Sequence, residues 1–337
     1  MSKIIFAFLM TFAFFSFSCD KDNGPINGSK PPCGGIDPGI VPVPAYDSPI
    51  WHPSGRLIGF NHKQLMSITY PQGENCWGEQ HFNRDSTGFW LVNPDGTNMR
   101  RVLPYTLQSP AWSPDGKWIA FSSGAQIFKM QFTGTIFDTN SITQLTTGGQ
   151  DFFPAWSPDG QQIAYSRSIC EGPNTCGIWI MSSDGTNNQF IADYGNFPAW
   201  NPFGRKILFF VRAVTQSGKT IGDSLWYFNL DTNTKSFLIF LGGQNNDNRS
   251  PLYSVDGSEI AFWSTKNLWL VKITDNNLQQ LTIHGVDVDF GLPFSWSPDG
   301  NKIVYTRYQS TDWTMKNGVL WLIDINTKTE TQLTFNP

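Results

Sequence analysis

The stretch Ser109–Phe121 reads SPAWSPDGKWIAF, and it is one of six related stretches in this chain of 337 residues. The other five are SPIWHPSGRLIGF from Ser48, FPAWSPDGQQIAY from Phe153, FPAWNPFGRKILF from Phe197, SPLYSVDGSEIAF from Ser250 and PFSWSPDGNKIVY from Pro293. Their aligned glycines are spaced by 61, 44, 44, 53 and 43 residues and are Gly55, Gly116, Gly160, Gly204, Gly257 and Gly300. Internal repeats with a period of about 40–50 residues are typical of β-propeller blades.

Each repeat has a second half in which a short apolar run is followed by turn residues and a polar run. Phe128 marks the centre of this half in the second repeat, and a tryptophan does so in the others: Trp90, Trp179, Trp226, Trp269 and Trp321. Such a string reads as two strands joined by a tight turn. A repeat therefore holds four strands: A around Pro-Ala-Trp, B around Ile-Ala-Phe, C around Leu-Trp-Leu and D around Gln-Leu-Thr. We predict an all-β fold, a six-bladed β-propeller of four-stranded antiparallel blades, over residues 45–337.

The Pro-Asp-Gly step between strands A and B has the chemistry of a turn. Proline fixes its own φ, aspartate bonds the backbone ahead of it, and glycine takes the positive φ that closes the hairpin. We therefore interpret Asp115, Asp159 and Asp299 as turn residues. Ser54 and Phe203 occupy the same position in two other repeats, which argues against a shared catalytic carboxylate there.

The repeated WSPDG, followed by IAF and closed by Gln-Leu-Thr, resembles the TolB-type propeller repeat, also known as PD40 or WD40-like. Three repeats carry WSPDG intact and three are degenerate, and the resemblance covers residues 45–337. It implies the propeller fold and partners in the cell envelope. It does not imply one activity, because a single fold hosts many functions.

The N-terminus predicts export. Lys3 precedes an uncharged apolar stretch, residues 4–17, and Ser16-Phe17-Ser18-Cys19 follows, which resembles a bacterial lipobox with Ser16 at the position usually held by leucine. We predict a signal peptide at residues 1–18 and lipidation of Cys19; an ordinary signal peptide with an incidental cysteine is the alternative. Residues 19–44 are polar and rich in Pro and Gly, and we interpret them as a flexible tether. The protein would thus be lipid-anchored in the cell envelope, on the periplasmic or surface side of the outer membrane.

Four cysteines remain if Cys19 carries the lipid. An even number in an exported chain suggests disulfides. Cys170 and Cys176 suit a pairing across one hairpin, and elimination then pairs Cys33 with Cys76. Free thiols are the alternative. No metal site is predicted, because no histidine lies at ligand spacing beside these cysteines.

The strand order assigns the connections to two faces. In an antiparallel A–B–C–D blade, the A–B and C–D turns lie at one end, and the B–C loops and D–A connections lie at the other. Most of the enlarged connections are B–C loops, at residues 62–88, 166–177, 211–224 and 308–318; the C–D connection of blade 2, residues 131–141, is the exception. Long loops on a rigid scaffold are where binding is usually placed. We therefore predict a binding surface on the B–C face.

The D–A connections should line a central funnel on that face. They supply the polar residues that we predict as ligand-binding candidates: Asp47, Gln108, Asp151, Asn196, Arg249, Asp287 and Asp289. Two roles stay open for them, namely hydrogen-bonded loop caps or a polar funnel for a peptide terminus, a saccharide or a cation. Asp287 and Asp289 have oxygens suited to Ca²⁺ but no EF-hand string. Trp77 and Trp313 lie on long loops and offer stacking surfaces.

Signatures of catalysis are missing from the sequence. It contains no G-x-S-x-G, no H-E-x-x-H and no glycine-rich phosphate loop, so we assign no catalytic residue and no cofactor. The net charge of -4 and the lack of a basic stripe argue against nucleic acid as a partner. The leading interpretation is a binding scaffold for protein or envelope partners, with the membrane engaged only through the lipid. The alternative is a carbohydrate-binding or carbohydrate-active propeller, a lyase or hydrolase with acids in the funnel.

Overall fold

The computed structural model of the chain describes residues 36–37, 46–69, 79–168, 175–214, 220–242, 249–264, 267–283, 293–308 and 318–334. Within these ranges the secondary structure is β-strand, and no helix has the length and apolar character needed to cross a membrane. The signal peptide, Cys19 and most of the predicted tether lie outside the described residues.

The strands follow one another as six blades. Residues 36–103 contain β1 (Ile36–Asp37), β2 (Tyr46–Trp51), β3 (Ile58–His62), β4 (Leu65–Thr69), β5 (Glu79–Phe82), β6 (Gly88–Val92) and β7 (Arg100–Leu103). Blade 2 contains β8 (Gln108–Trp112), β9 (Trp118–Ser123), β10 (Gln126–Phe132) and β11 (Phe137–Gln144). Blade 3 contains β12 (Asp151–Trp156), β13 (Gln162–Arg167), β14 (Gly177–Ser182) and β15 (Gln189–Asp193).

The last three blades repeat this plan. Blade 4 contains β16 (Gly195–Trp200), β17 (Lys206–Val214), β18 (Thr220–Asn229) and β19 (Thr234–Gly242). Blade 5 contains β20 (Arg249–Tyr253), β21 (Glu259–Ser264), β22 (Asn267–Lys272) and β23 (Leu278–Gln280). Blade 6 contains β24 (Ser295–Trp296), β25 (Lys302–Tyr308), β26 (Gly318–Asp324) and β27 (Glu330–Gln332).

Each blade is a four-stranded antiparallel sheet whose strands A to D are neighbours in chain order. Blade 1 uses β2, β3, β6 and β7, because β4 and β5 are inserted between its strands B and C. The A strands of neighbouring blades contact one another, for example β2 with β8 and β12 with β16, so strand A lies innermost. The predicted six-bladed propeller is confirmed.

The core is divided into six apolar clusters, one at each junction between neighbouring blades. Alternation along a strand explains this arrangement, since successive side chains point to opposite faces of a sheet. Ile119 and Phe121 pack towards blade 1, whereas Ala120 between them packs towards blade 3. Both faces of a blade are therefore buried, which is why its inner strands are apolar throughout.

The turn between strands A and B is fixed by hydrogen bonds to its aspartate. In blade 2, Asp115 Oδ1 accepts the hydroxyl of Ser113 at 2.6 Å and the N–H of Lys117 at 3.0 Å. Asp159, Asp256 and Asp299 make the same two bonds in their blades. These aspartates are turn residues, and in the latter three the serine hydroxyl lowers the pKa of the carboxyl.

Side-chain packing closes the ring between blades 6 and 1. Phe60 of blade 1 lies in one cluster with Val319 and Leu320 of blade 6. The Trp51 N–H also donates to Ser295 Oγ across this junction at 3.0 Å. In the part of the chain that the structure describes, each of these two blades draws its four strands from one end of the chain.

Two connections that the sequence analysis treated as loops are largely strand. The C–D exception of blade 2 is an extension of β10 and β11 around a turn at 133–136, and its Phe132 and Phe137 are buried against blade 1. The predicted loop at 211–224 is largely strand, because β17 continues to Val214 and β18 starts at Thr220. Both segments continue the antiparallel pairing of their blades beyond the predicted strand ends.

The insertion of blade 1 forms a small sheet in the order β1-β4-β5. Ile36 pairs with Thr69 and Asp37 with Ile68, so part of the predicted tether is an edge strand on this hairpin. An extended chain readily adds to an unpaired strand edge, which is the physical reason for the difference.

Cys176 is disulfide-bonded. Cys170, Cys33 and Cys76 lie outside the described residues, so both proposed pairings remain predictions.

Candidate functional site

The antiparallel pairing within every blade defines two faces of the disc. The A–B and C–D turns form the turn face, and the B–C and D–A connections form the loop face. The β4–β5 hairpin is a B–C insertion and therefore belongs to the loop face. The predicted funnel residues lie at or before the start of strand A, where the innermost strands reach this face.

A repeated backbone irregularity shapes the inner end of strand A. Five A strands contain a β-bulge, and one residue in each has a positive φ between 49° and 55°: Ser48, Ser109, Phe153, Phe197 and Ser250. This residue directly follows the funnel candidate in four blades, whereas in blade 3 Phe152 separates it from Asp151. A proline follows each of the five positive-φ residues. Proline within a sheet is confined to edges and bulges, so the repeated proline is the sequence signal for this irregularity. Bulges re-aim neighbouring side chains and often lie beside functional sites.

Asp47 lies in the bulge of blade 1 and is held by Asn61. Asn61 Nδ2 donates to Asp47 Oδ1 at 2.9 Å and to the Leu107 carbonyl at 2.8 Å, while Asn61 Oδ1 accepts the Leu107 N–H at 2.8 Å. Desolvation raises the pKa of Asp47; bonds from Asn61 and Ser48 and the charge of Lys63 oppose only part of that shift. A carboxyl in such surroundings is the kind of group that functional sites use.

His62 and Lys63 follow Asn61 at the end of strand B and complete this cluster. His62 is buried between Tyr46 and Trp90, with ring centroids at 4.5 Å and 5.8 Å, and its Nδ1 lies 2.9 Å from the Ser86 carbonyl oxygen. Burial lowers the pKa of His62, which favours the neutral ring. Its Nε2 is buried and has no hydrogen-bond partner among the described residues.

Lys63 links the cluster to the inserted hairpin. Its Nζ lies 3.8 Å from the ring centroid of Phe82 on β5. Burial lowers the pKa of Lys63, and the negative charge of Asp47 opposes that shift. The sequence pointed to Asp47 but missed His62 and Lys63 as its neighbours. Their position became visible only once the register placed Asp47 opposite Asn61.

Asp151 has a structural role in blade 3. Its carboxylate is fully buried and accepts two bonds from Arg167, at 2.7 Å to Nε and 2.9 Å to Nη2. The guanidinium in turn lies over Trp179, with Cζ 4.5 Å from the ring centroid. This geometry favours the loop-capping alternative over ligand binding for Asp151.

The remaining candidates that the structure describes, Asn196 and Gln108, do not form a cluster with Asp47 or Asp151 in any hydrogen bond or ion pair of the described residues. Asn196 Oδ1 accepts the N–H of Phe197 at 3.0 Å, so its side chain caps its own bulge. Gln108 is exposed at the start of β8. Arg249 begins β20 and pairs with Trp263, but its side chain lies outside the described residues. Asp287 and Asp289 lie outside them as well, and so do Trp77 and Trp313.

The described part of the funnel also has an aromatic side. Phe153 and Phe197, both bulge residues, have ring centroids 4.3 Å apart. Within the described ranges, no group of three or more His, Cys, Asp or Glu side chains is arranged to hold a metal ion. The two described funnel carboxylates differ in environment. Asp151 forms an ion pair with Arg167, whereas none of the arginine ion pairs among the described residues includes Asp47.

Replacing Asp47 with Asn should stabilise the protein at pH 7. The pKa of Asp47 is about 3.8 in the unfolded chain and higher in the folded protein. As pH rises between these two pKa values, the carboxyl ionises more readily in the unfolded chain, so the free energy of unfolding falls. The amide oxygen of the introduced side chain would still accept from Asn61. We expect Asp47→Asn to unfold at higher urea concentration than the native chain at pH 7, with the gain lost below pH 3.8.

Asp115→Asn is the matched control of opposite sign. Burial alone would raise the pKa of Asp115, but the hydrogen bonds from the Ser113 hydroxyl and the Lys117 N–H lower it by more, so the pKa is lowered overall. That variant should be less stable than the native chain at pH 7, and the difference should vanish as pH falls through the lowered pKa. A less stable Asp47→Asn at pH 7 would contradict the desolvation argument.

Comparisons with known proteins agree with this architecture. No family model matches the chain. A segment of 45 residues, 13% of the chain, is 40% identical to the Tol-Pal system protein TolB of Nitratidesulfovibrio vulgaris and spans 10% of that protein.

Two solved structures are similar over most of the chain. The putative TolB from Agrobacterium tumefaciens matches with a TM-score of 0.55 and 22% identity, covering 70% of this chain and 84% of that one. TolB from Acinetobacter baumannii matches with a TM-score of 0.55 and 20% identity, covering 72% of this chain and 58% of that one. The chain thus has a TolB-like six-bladed β-propeller fold.

Proposed function

We propose that this protein is an exported, lipid-anchored binding scaffold whose loop face engages a protein component of the cell envelope. The observation that carries the proposal is the asymmetry of the disc. Apart from the extended β10–β11 hairpin, the turn face is built from short, self-bonded turns. The inserted hairpin β4–β5 and the Asp47–His62–Lys63 cluster lie at the loop face. A rigid propeller with elaborated connections on one face is suited to recognition.

The N-terminal segment supports the envelope part of the proposal. β1 pairs with the edge of β4, so the chain approaches the propeller from its loop face. If Cys19 carries lipid, residues 19–36 span at most about 60 Å when fully extended. The loop face would then be held near the membrane surface, within reach of membrane-associated proteins.

The preference for a protein partner has two supports. The curated match is described as part of the Tol-Pal system, which suggests an assembly of envelope proteins. In addition, a site that hydrolyses glycosidic bonds usually needs two convergent carboxylates. The carboxylate of Asp151 is occupied by Arg167, which leaves Asp47 without a described partner for that chemistry.

Photo-crosslinking in intact cells tests the recognition surface. A photoreactive amino acid would be placed at Met66 on the hairpin and at Tyr105 on a D–A connection, both exposed. The matched controls are Ile136 and Val255, exposed on the turn face. We expect discrete protein adducts from the loop-face positions only. Adducts from the turn face alone, or none from either loop-face position, would contradict the proposal.

A separate variant tests the anchor. Cys19→Ala should abolish incorporation of labelled palmitate and release the protein from the membrane fraction, because stable anchoring depends on buried acyl methylenes. Cys33→Ala serves as the control and should keep the label. A Cys19→Ala protein that still incorporates palmitate would show that the lipid, if any, is elsewhere.

A further inference from the structure

The turn face carries a cleft at the junction of blades 3 and 4, away from the proposed recognition surface. Its volume is about 760 Å³. The A–B and C–D turns of blade 3 form one side, and the A–B turn of blade 4 forms the other. The residues that matter for its chemistry are Asp159, Gln161, Gln162, Asp184, Trp200 and Phe203.

The neighbouring junction has a smaller cleft on the same face. An equivalent cleft between blades 2 and 3 has a volume of about 250 Å³ and is lined by Trp118 and Lys129. Lys129 Nζ lies 4.8 Å from the Trp118 ring centroid. The first residue of strand B is Trp118 in blade 2 and Gln162 in blade 3. The other four blades have Leu57, Lys206, Glu259 and Lys302 at this position, so the indole is particular to blade 2 and its smaller cleft.

A departure from the repeat lies on the rim of the larger cleft, between blades 3 and 4. Phe203 occupies the turn position that holds aspartate in four other blades, and 77% of it is exposed. The turn does not need this side chain, because Asn201 Oδ1 accepts the Phe203 N–H at 3.0 Å and replaces the missing carboxylate. Because the turn is satisfied without it, this exposed ring is available to a ligand at the rim of the cleft.

The lining combines aromatic surface with hydrogen-bonding groups. Trp200 is held by a bond from its indole N–H to the Ala155 carbonyl at 3.0 Å, so its ring is fixed beside the cleft. Gln161 and Gln162 provide amide donors and acceptors. Hydrogen bonds within their turns lower the pKa values of Asp159 and Asp184, so both carboxylates remain acceptors at neutral pH.

We propose that this cleft binds an uncharged saccharide. A sugar ring presents apolar C–H faces that pack on aromatic rings and hydroxyls that bond to amides and carboxylates. The anionic Asp159 and Asp184 disfavour an acidic sugar, and the cationic Arg205 at the rim lies 3.4 Å from Asp231.

Titration calorimetry with defined oligosaccharides tests the proposal. The probes are chitotetraose, cellotetraose, mannotetraose and xylotetraose, with tetragalacturonate as the acidic comparison. We expect at least one neutral probe to bind at one site per chain. Phe203→Asp and Gln162→Trp install residues that the chain itself uses at these positions in other blades, so both should fold, and each should weaken binding by about tenfold or more.

The control is Phe240→Ser, which removes an exposed aromatic residue from β19 outside the cleft and should leave binding unchanged. Circular dichroism and thermal unfolding would establish that each variant is folded. The proposal is overturned if no neutral probe binds at millimolar concentration, if only tetragalacturonate binds, or if both cleft variants bind like the native chain. Selection of a peptide whose binding Phe203→Asp abolishes would assign the cleft to a peptide and would likewise overturn it.

Discussion

Replacing Arg167 with Ala is expected to lower the free energy of unfolding by about 3–5 kcal/mol, because it leaves a buried carboxylate without its guanidinium. Asp151 is fully buried and 17% of the Arg167 side chain is exposed, so water cannot substitute well for the lost cation. The variant also loses the contact between the guanidinium and Trp179. Urea unfolding followed by tryptophan fluorescence measures the effect.

The ion pair between Arg205 and Asp231 is the matched control. Its side chains are 67% and 59% exposed, and such surface pairs contribute less than about 1 kcal/mol. Arg205→Ala should therefore change stability little. A double variant that replaces both Asp151 and Arg167 with apolar residues should recover part of the loss, since the penalty comes from the unpaired charge. Equal effects of Arg167→Ala and Arg205→Ala would refute this account.

The second large effect is expected at the junction that closes the ring. Phe60 is fully buried among residues of blades 1 and 6, and Phe60→Ala should lower the free energy of unfolding by about 3–5 kcal/mol through lost burial and the cavity left behind. Because side-chain packing joins these blades, the variant should also open the ring locally. Hydrogen exchange should show the amides of β25 and β26 losing protection together.

Phe209→Ala provides the matched comparison. Phe209 is also fully buried, but it lies at the junction of blades 3 and 4, which are joined by the chain itself. It should cost a similar free energy without a selective loss of protection in blade 6. If both variants reduce the hydrogen-exchange protection of blade 6 equally, the junction between blades 6 and 1 is not weaker than the other junctions.

The sequence predicted the fold because the repeat carries local chemistry. Each Pro-Asp-Gly step closes its hairpin with bonds from Ser113 and Lys117 or their equivalents, so the turn depends on residues next to one another in the chain. Each blade needs only its neighbours to bury its two faces. Strand count, blade count and the division into two faces follow from these local rules, and the enlarged B–C connection of blade 1 was placed correctly.

The candidate sites depended on contacts that local rules do not specify. Asp151 became a structural residue because strand register sets it opposite Arg167, and the Asp47 cluster arose because Asn61 bridges two blades. The repeated proline indicates the bulges in strand A, but nothing in the sequence indicates how the bulges turn the neighbouring side chains. The pairing of Ile36 with Thr69 joins segments that no repeat connects.

The amino-acid sequence by itself determined the repeating architecture, since turn chemistry and alternation act over a few residues and recur in every blade. The tertiary structure alone decided which carboxylates are buried, paired or available, and where a cleft opens between blades. The physical reason is that desolvation and cavity size depend on atoms contributed by neighbouring blades. In the sequence, Trp118 and Gln162 are one ordinary difference between repeats. Only the structure shows that they line two clefts of different volume.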